Sequence, residues 1–185
     1  MDCIPVDLLR KKLGELHRQE KLSVAAIEKL RAQFPHSIQV AKRSPQESVD
    51  LPFVNCAMYA FNLKCDVTFR AIYECARIRR RNWSRDNDKK ISADTEFVEF
   101  CIEKGFLLSI AERERESGDL VVYFDNETCF HIGKLQDQNR ILSKWGNIEL
   151  FEHDLREVPD FYGDKVKYFK PLQFEQSQDG FVAYA

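Results

Sequence analysis

The sequence predicts an α+β fold, with helices packed on an antiparallel sheet. Apolar residues recur at helical spacing through the first hundred positions, and after Gly105 the texture changes to short runs rich in β-branched and aromatic residues. Helices that precede the strands, rather than alternating with them, favour antiparallel pairing over βαβ units.

Val6, Leu9, Leu13 and Leu16 lie on one helical face, and Val24, Ile27, Leu30 and Phe34 form a second after the cap candidate Ser23. Together they predict a helical hairpin that Pro35 ends. The stretch "PHSIQVAKRSPQESVDLP" is polar, holds three prolines and reads as a connector, so residues 1–50 form the hairpin and its connector and 51–185 the main domain. A helix follows through Ala57, Met58, Ala60, Phe61 and Leu63. Another carries Phe69, Ile72, Tyr73 and Ala76 and ends on the arginine run from Arg77. A further helix starts after Ser92, buries Phe97, Phe100 and Cys101, and stops at Gly105. The strands are expected at "FLLSI", "DLVVYF", "CFHIGKL", "RILSKW" and "VKYFKPL", separated by Gly, Asp and Asn.

At 185 residues the chain suits one domain with room for a small appendage, and 44% hydrophobic with 31% charged residues is ordinary for a folded globular protein. A net charge of -2 supplies no field to recruit nucleic acid or an anionic membrane. No apolar stretch reaches membrane-spanning length, and the start "MDCIPVDLLRKK" lacks the order of a signal peptide. These features predict a cytoplasmic protein, exported only if a dedicated secretion machine carries it as an effector. Six irregularly spaced cysteines, Cys3, Cys56, Cys65, Cys75, Cys101 and Cys129, predict thiols in a reducing compartment rather than a disulfide framework or a zinc site.

The chemistry centres on "LPFVNCAMYAFNL". If Asn55 caps the helix, Cys56 falls in its first turn, facing unpaired backbone N–H groups that favour a thiolate and would steady an oxyanion. The competing reading makes Cys56 core filler, since cysteine is among the most buried residue types. His131 in "CFHIGKL" is the candidate base, against a reading as a structural histidine. Ser143 follows twelve positions later on the return strand. A hairpin loop of Gln136, Asp137 and Gln138 would set Ser143 opposite His131, where it would accept the second imidazole N–H; a one-residue slip would bring Lys144 there instead.

A cysteine heading a helix, then "GDLVVYF", then a strand opening "HIG", then a polar residue twelve positions on, resembles the NlpC-type cysteine peptidases of the papain-like superfamily. The resemblance spans roughly residues 52–172 and implies a papain-like, NlpC-like fold. On it Cys56 is the nucleophile, Gly118, Asp119 and Leu120 the "GDL" signature, His131 the base and Ser143 the third residue. The chain departs from the family in having Asn55 where Asp is usual and Ser143 where His, Asn or Gln is usual. The wider pattern through "SKWG" and "EH" is similar to a less characterised bacterial branch, in which Glu152 and His153 match an acidic-His pair. That makes His153 a second candidate for the orienting role, against a reading as a loop histidine capping a turn.

The implied activity is a cysteine hydrolase that cuts a peptide or protein amide through a Cys-His thioester. A glutamine deamidase or an acyltransferase effector would use the same pair, and a catalytically inactive binding or immunity module would keep the fold alone. The "RIRRRNWSR" run is followed at once by Asp86 and Asp88, so it reads as a solvated helix end rather than a nucleic-acid footprint. The hairpin lacks a basic recognition face and is expected to act as a lid or to dock a protein partner. No Gly-rich phosphate loop, HExxH or paired CxxC appears, so no cofactor or metal is expected.

Overall fold

Leu120, Val121, Val122, Tyr123 and Phe124 run consecutively along one strand, and all five are buried. Successive strand residues point to opposite faces, so a strand buried throughout belongs to a sheet covered on both sides. The computed structural model, which describes residues 6–19, 21–35, 37–41, 54–63, 95–145 and 148–184, shows that covering. Seven strands pair antiparallel: β1 (Gln39–Val40), β2 (Ser109–Ile110), β3 (Leu120–Asp125), β4 (Thr128–Leu135), β5 (Arg140–Trp145), β6 (Glu149–Asp154) and β7 (Lys165–Phe169), in the order β1-β6-β5-β4-β3-β7-β2. The expected α+β class with an antiparallel sheet therefore holds.

On one face lie α1 (Val6–Arg18) and α2 (Val24–Gln33), whose Leu9, Leu13, Ile27 and Leu30 pack with Val121, Tyr123, Ile141, Trp145 and Phe151. Ser23 caps α2 as expected, accepting from the Ala26 N–H at 3.3 Å. On the other face α3 (Cys56–Ala60), α4 (Thr95–Glu103) and α5 (Phe174–Tyr184) bring Ala57, Ala60, Phe61, Phe97 and Phe181 against Leu120, Val122, Ile132 and Phe169. The hairpin thus forms one of the two outer layers. Gly105, at φ 72, ends α4 as its sequence predicts, with Phe106 N–H returning to the Cys101 carbonyl at 2.9 Å. Asn62, at φ 58, does the same for α3, which is shorter than its apolar run suggests.

Several elements depart from the sequence reading. The connector opens with edge strand β1, "FLLSI" contributes only the two residues of β2, and β6 and α5 were not anticipated. The expected helix through Phe69 to Ala76, its arginine run, Cys3, Cys65, Cys75 and the cap candidate Ser92 lie outside the described residues.

The β4–β5 hairpin also closes differently. Asp137 Oδ1 accepts from both Asn139 N–H and Arg140 N–H at 2.9 Å, and Gln136 N–H donates to the Arg140 carbonyl at 2.7 Å. The three loop residues are therefore Asp137, Gln138 and Asn139, and the ladder pairs Leu135 with Ile141 and Lys134 with Leu142. Ser143 comes opposite Gly133, not His131 as predicted: a Cβ on Gly133 would lie 2.9 Å from Ser143 Cβ. Because the correction is a shift of two, Ser143 stays on the predicted face.

Glycine 163, at φ 92, sits hard against β3, where an added Cβ would lie 1.9 Å from the Phe124 carbonyl oxygen. Gly163→Ala combines a left-handed backbone with a clash against main chain and should cost about 2–4 kcal/mol in urea unfolding. A loss below about 0.5 kcal/mol would contradict this packing.

Candidate active site

Strand β4 carries one residue too many for its partner. Tyr123 pairs with His131 but Phe124 pairs with Cys129, so Phe130 is a bulge. The bulge breaks the two-residue alternation. Cys129 packs into the core shared with α3 and α4, while His131 points to the opposite face, beside Tyr123 and Tyr162.

Beyond Lys134 and Leu142, β4 and β5 no longer pair with each other, although β4 stays on β3 and β5 stays on β6. Helix α3 packs against both strands. Asn55 caps it, its side chain accepting from the Met58 N–H at 2.9 Å, as its sequence predicts. Cys56 is the first helical residue, half-buried at the margin of the α3–α4 core. From the other face Tyr162, the last residue of a 3-10 turn (Asp160–Tyr162), stacks on His131 with ring centroids 4.3 Å apart and planes 19° apart. Burial, and then the neighbouring Cys56 sulfur, push the Tyr162 phenol pKa above its ordinary value. Cys56 thus acts electrostatically on the same tyrosine that stacks on His131.

His131 is 1% exposed, and among the described residues its Nε2 has no hydrogen-bond partner. Burial, followed by the nearby His153, holds its pKa well below the usual imidazole value. It is a neutral base.

The structure places the two third-residue candidates together, but bonded to each other. Ser143 Oγ lies 2.7 Å from His153 Nε2, and the Trp145 indole N–H donates to the same Oγ at 2.9 Å. His153 Nδ1 lies 2.9 Å from the Asp154 carbonyl, which can only accept. Nδ1 therefore carries the proton, the serine O–H donates to Nε2, and every bond in the chain has a fixed direction. His153 sits in β6 rather than in a turn-capping loop, and its burial pushes its pKa down to about 4. The "GDL" residues serve the backbone: Gly118 takes φ 94, and buried Asp119 accepts from Glu116 N–H at 2.7 Å and from Lys170 Nζ at 3.1 Å.

Sequence reasoning missed Tyr162, Trp145 and Arg10. Arg10, buried in α1, donates through Nη2 to the carbonyls of Asp160 at 3.3 Å and Gly163 at 3.0 Å, anchoring the turn that carries Tyr162. The available signal was "VPDFYGD", where two adjacent aromatics stand between turn formers. Among the described residues no cluster of His, Cys, Asp or Glu could hold a metal ion, and no helix is long and apolar enough to cross a membrane.

The family model of a domain of unknown function, DUF7689, matches residues 53–170, which include Cys56, His131, Ser143, His153 and Tyr162 and leave out the helical hairpin. No curated protein and no solved structure matches the chain.

Ser143→Ala would strand the Trp145 N–H and His153 Nε2 in the core, and urea unfolding should show a loss of about 1–3 kcal/mol. The acid response follows from His153. Its folded pKa of about 4 lies below the ordinary 6.5, so below pH 6.5 the unfolded chain binds the extra proton. Stability present above pH 6.5 should be lost as pH falls towards 4, by about 3 kcal/mol for this residue. A His153→Gln variant should show a flatter profile over the same window in urea titrations; an equally steep one would remove His153 as the cause.

Proposed function

The chain belongs to the DUF7689 family, whose description assigns no chemistry, and we propose from the site itself that it is a cysteine hydrolase of the amide bond, of NlpC-like, papain-like type. The observation that carries this reading is a cysteine in the first turn of an Asn55-capped helix together with a buried, neutral His131 whose Nε2 has no hydrogen-bond partner among the described residues, both acting on Tyr162. Cys56 Sγ attacks the carbonyl of a peptide or protein amide while His131 takes the thiol proton. The same proton passes to the departing amine, and the acyl group stays on sulfur as a thioester until water, with His131 again as base, releases the acid. First-turn N–H groups of α3 supply the oxyanion contacts. Since burial keeps His131 neutral, it takes the thiol proton as the sulfur attacks, whether the electrophile is a substrate carbonyl or an alkylating reagent.

Deamidation of a glutamine side chain and acyl transfer to an acceptor other than water share every step up to the thioester, and only substrate screening separates them. A second reading rests on a specific observation: His131 is almost fully covered, so a chain that never uncovers it would be a binding or immunity module. Its candidate docking element is the helical hairpin. The absence of a spanning helix among the described residues accords with a protein that does not cross the membrane on helices. A cytoplasmic site of action, with export only by a dedicated machine, belongs to the same proposal.

Iodoacetamide at neutral pH, followed by peptide mass spectrometry, separates the readings. Cys56 should alkylate about tenfold faster than any of the other five cysteines, and His131→Ala should remove that advantage. Buried Cys101, whose pKa burial pushes up to about 12, gives an inert internal reference. Cys56→Ala should abolish hydrolysis of any substrate found by screening while leaving the melting temperature nearly unchanged. If Cys56 labels no faster than the rest, the hydrolase reading falls and the binding module stands.

A further inference from the structure

A base at the end of two rotatable bonds needs something to hold its plane, and in a Cys-His-polar arrangement a hydrogen bond from the imidazole to the third residue does so. Here Ser143 and His153 are bonded to each other, with Trp145 and the Asp154 carbonyl completing the chain. His131 Nε2 has no hydrogen-bond partner among the described residues. What the imidazole does have is a ring lying on it, Tyr162 at 4.3 Å and 19°, with Tyr123 tilted beside it at 5.7 Å.

Tyr162 is itself held from several sides. Arg10 binds the carbonyls before and after it and pairs with Asp164 at 2.9 Å, and Arg18 Nη1 meets the Asp160 carboxylate at 3.1 Å. Gly14 lets α1 approach so closely that a Cβ there would lie 1.9 Å from Asp160 Oδ1. Phe161 and Trp145 stand edge-on to the Tyr162 ring at 5.0 Å and 6.3 Å. The turn is a fixed mount.

We propose that Tyr162 is the positioning residue for His131, holding the imidazole plane by face-to-face stacking in place of a hydrogen-bonding third residue. The inference rests on the Cys56–His131 reading. Stacking engages the ring faces and leaves the in-plane nitrogens available, so Nε2 can take the thiol proton without first breaking a bond. The tyrosine face also attracts the imidazolium that forms during the reaction, offsetting part of the penalty that burial places on the charge. A half-turn of the imidazole preserves the stack, so Tyr162 fixes the plane and not which nitrogen faces the thiol.

The test uses the full chain and the iodoacetamide rate of Cys56, with melting temperature recorded for each variant. Tyr162→Phe keeps the stack and should stay within about twofold of the parent rate, whereas Tyr162→Leu fills similar space without a ring face and should slow labelling about tenfold, close to His131→Ala. A role in packing alone predicts the reverse pattern for leucine, a changed melting temperature with an unchanged rate, and that result overturns the proposal. So does a phenylalanine variant as slow as the leucine one. Should Tyr162→Leu not fold, Tyr162→Met carries the same comparison. Failure of the underlying reading is distinct: the parent Cys56 would then show no rate advantage and no response to His131→Ala.

Discussion

One inserted residue, Phe130, decides which side of the sheet His131 faces. Without the bulge, His131 would follow Cys129 into the core under α3 and α4, and Tyr162 would have no imidazole to cover. The bulge and the early end of the β4–β5 ladder act together. The first turns the side chain over, and the second ends the β4–β5 ladder before it reaches His131, with α3 packed on both strands from one face and the Asp160–Tyr162 turn on β3 and β4 from the other. The candidate site is thus built on an irregularity in sheet pairing.

Burial then sets the electrostatic character. His131 and His153 lie on the same face, both fully covered, and each carries less positive charge near neutrality than an exposed histidine would. Nearby Arg140 meets Glu152 at 3.3 Å and Asp154 at 2.9 Å, so its charge is spent on carboxylates at the edge of the sheet. The directed chain from Trp145 through Ser143 and His153 to the Asp154 carbonyl satisfies polar groups that the core could not otherwise tolerate.

The sequence announced local structure well where one residue type has one physical use. Ser23 and Asn55 cap helices because their side chains accept from orphan N–H groups, and Gly105 ends α4 because it takes the left-handed conformation. Strands β3, β4 and β5 were legible from their apolar runs. Three things were not. The hairpin register depended on Asp137 bonding two N–H groups rather than on loop length, and Asp, Asn and Gln side by side leave that choice open. The bulge left no mark, since an exposed Phe130 between a buried cysteine and a buried histidine fits ordinary alternation equally well. Tyr162 is separated from His131 by two further strands, and nothing in linear spacing joins them.

The contacts of Arg10, Gly14 and Arg18 with the Tyr162 turn divide labour unevenly along the chain. Residues 53–170, the stretch matched by the family model, contain every side chain assigned a part in the chemistry, while the guanidinium groups that immobilise one of them lie upstream. Part of the rigidity is consequently encoded apart from the reactive side chains, although Trp145 and Phe161 also brace the ring from within the matched stretch. A lineage could retune the stiffness of the aromatic wall by altering the codons for Arg10, Gly14 and Arg18 without touching the thiol, the imidazole or the strands between them.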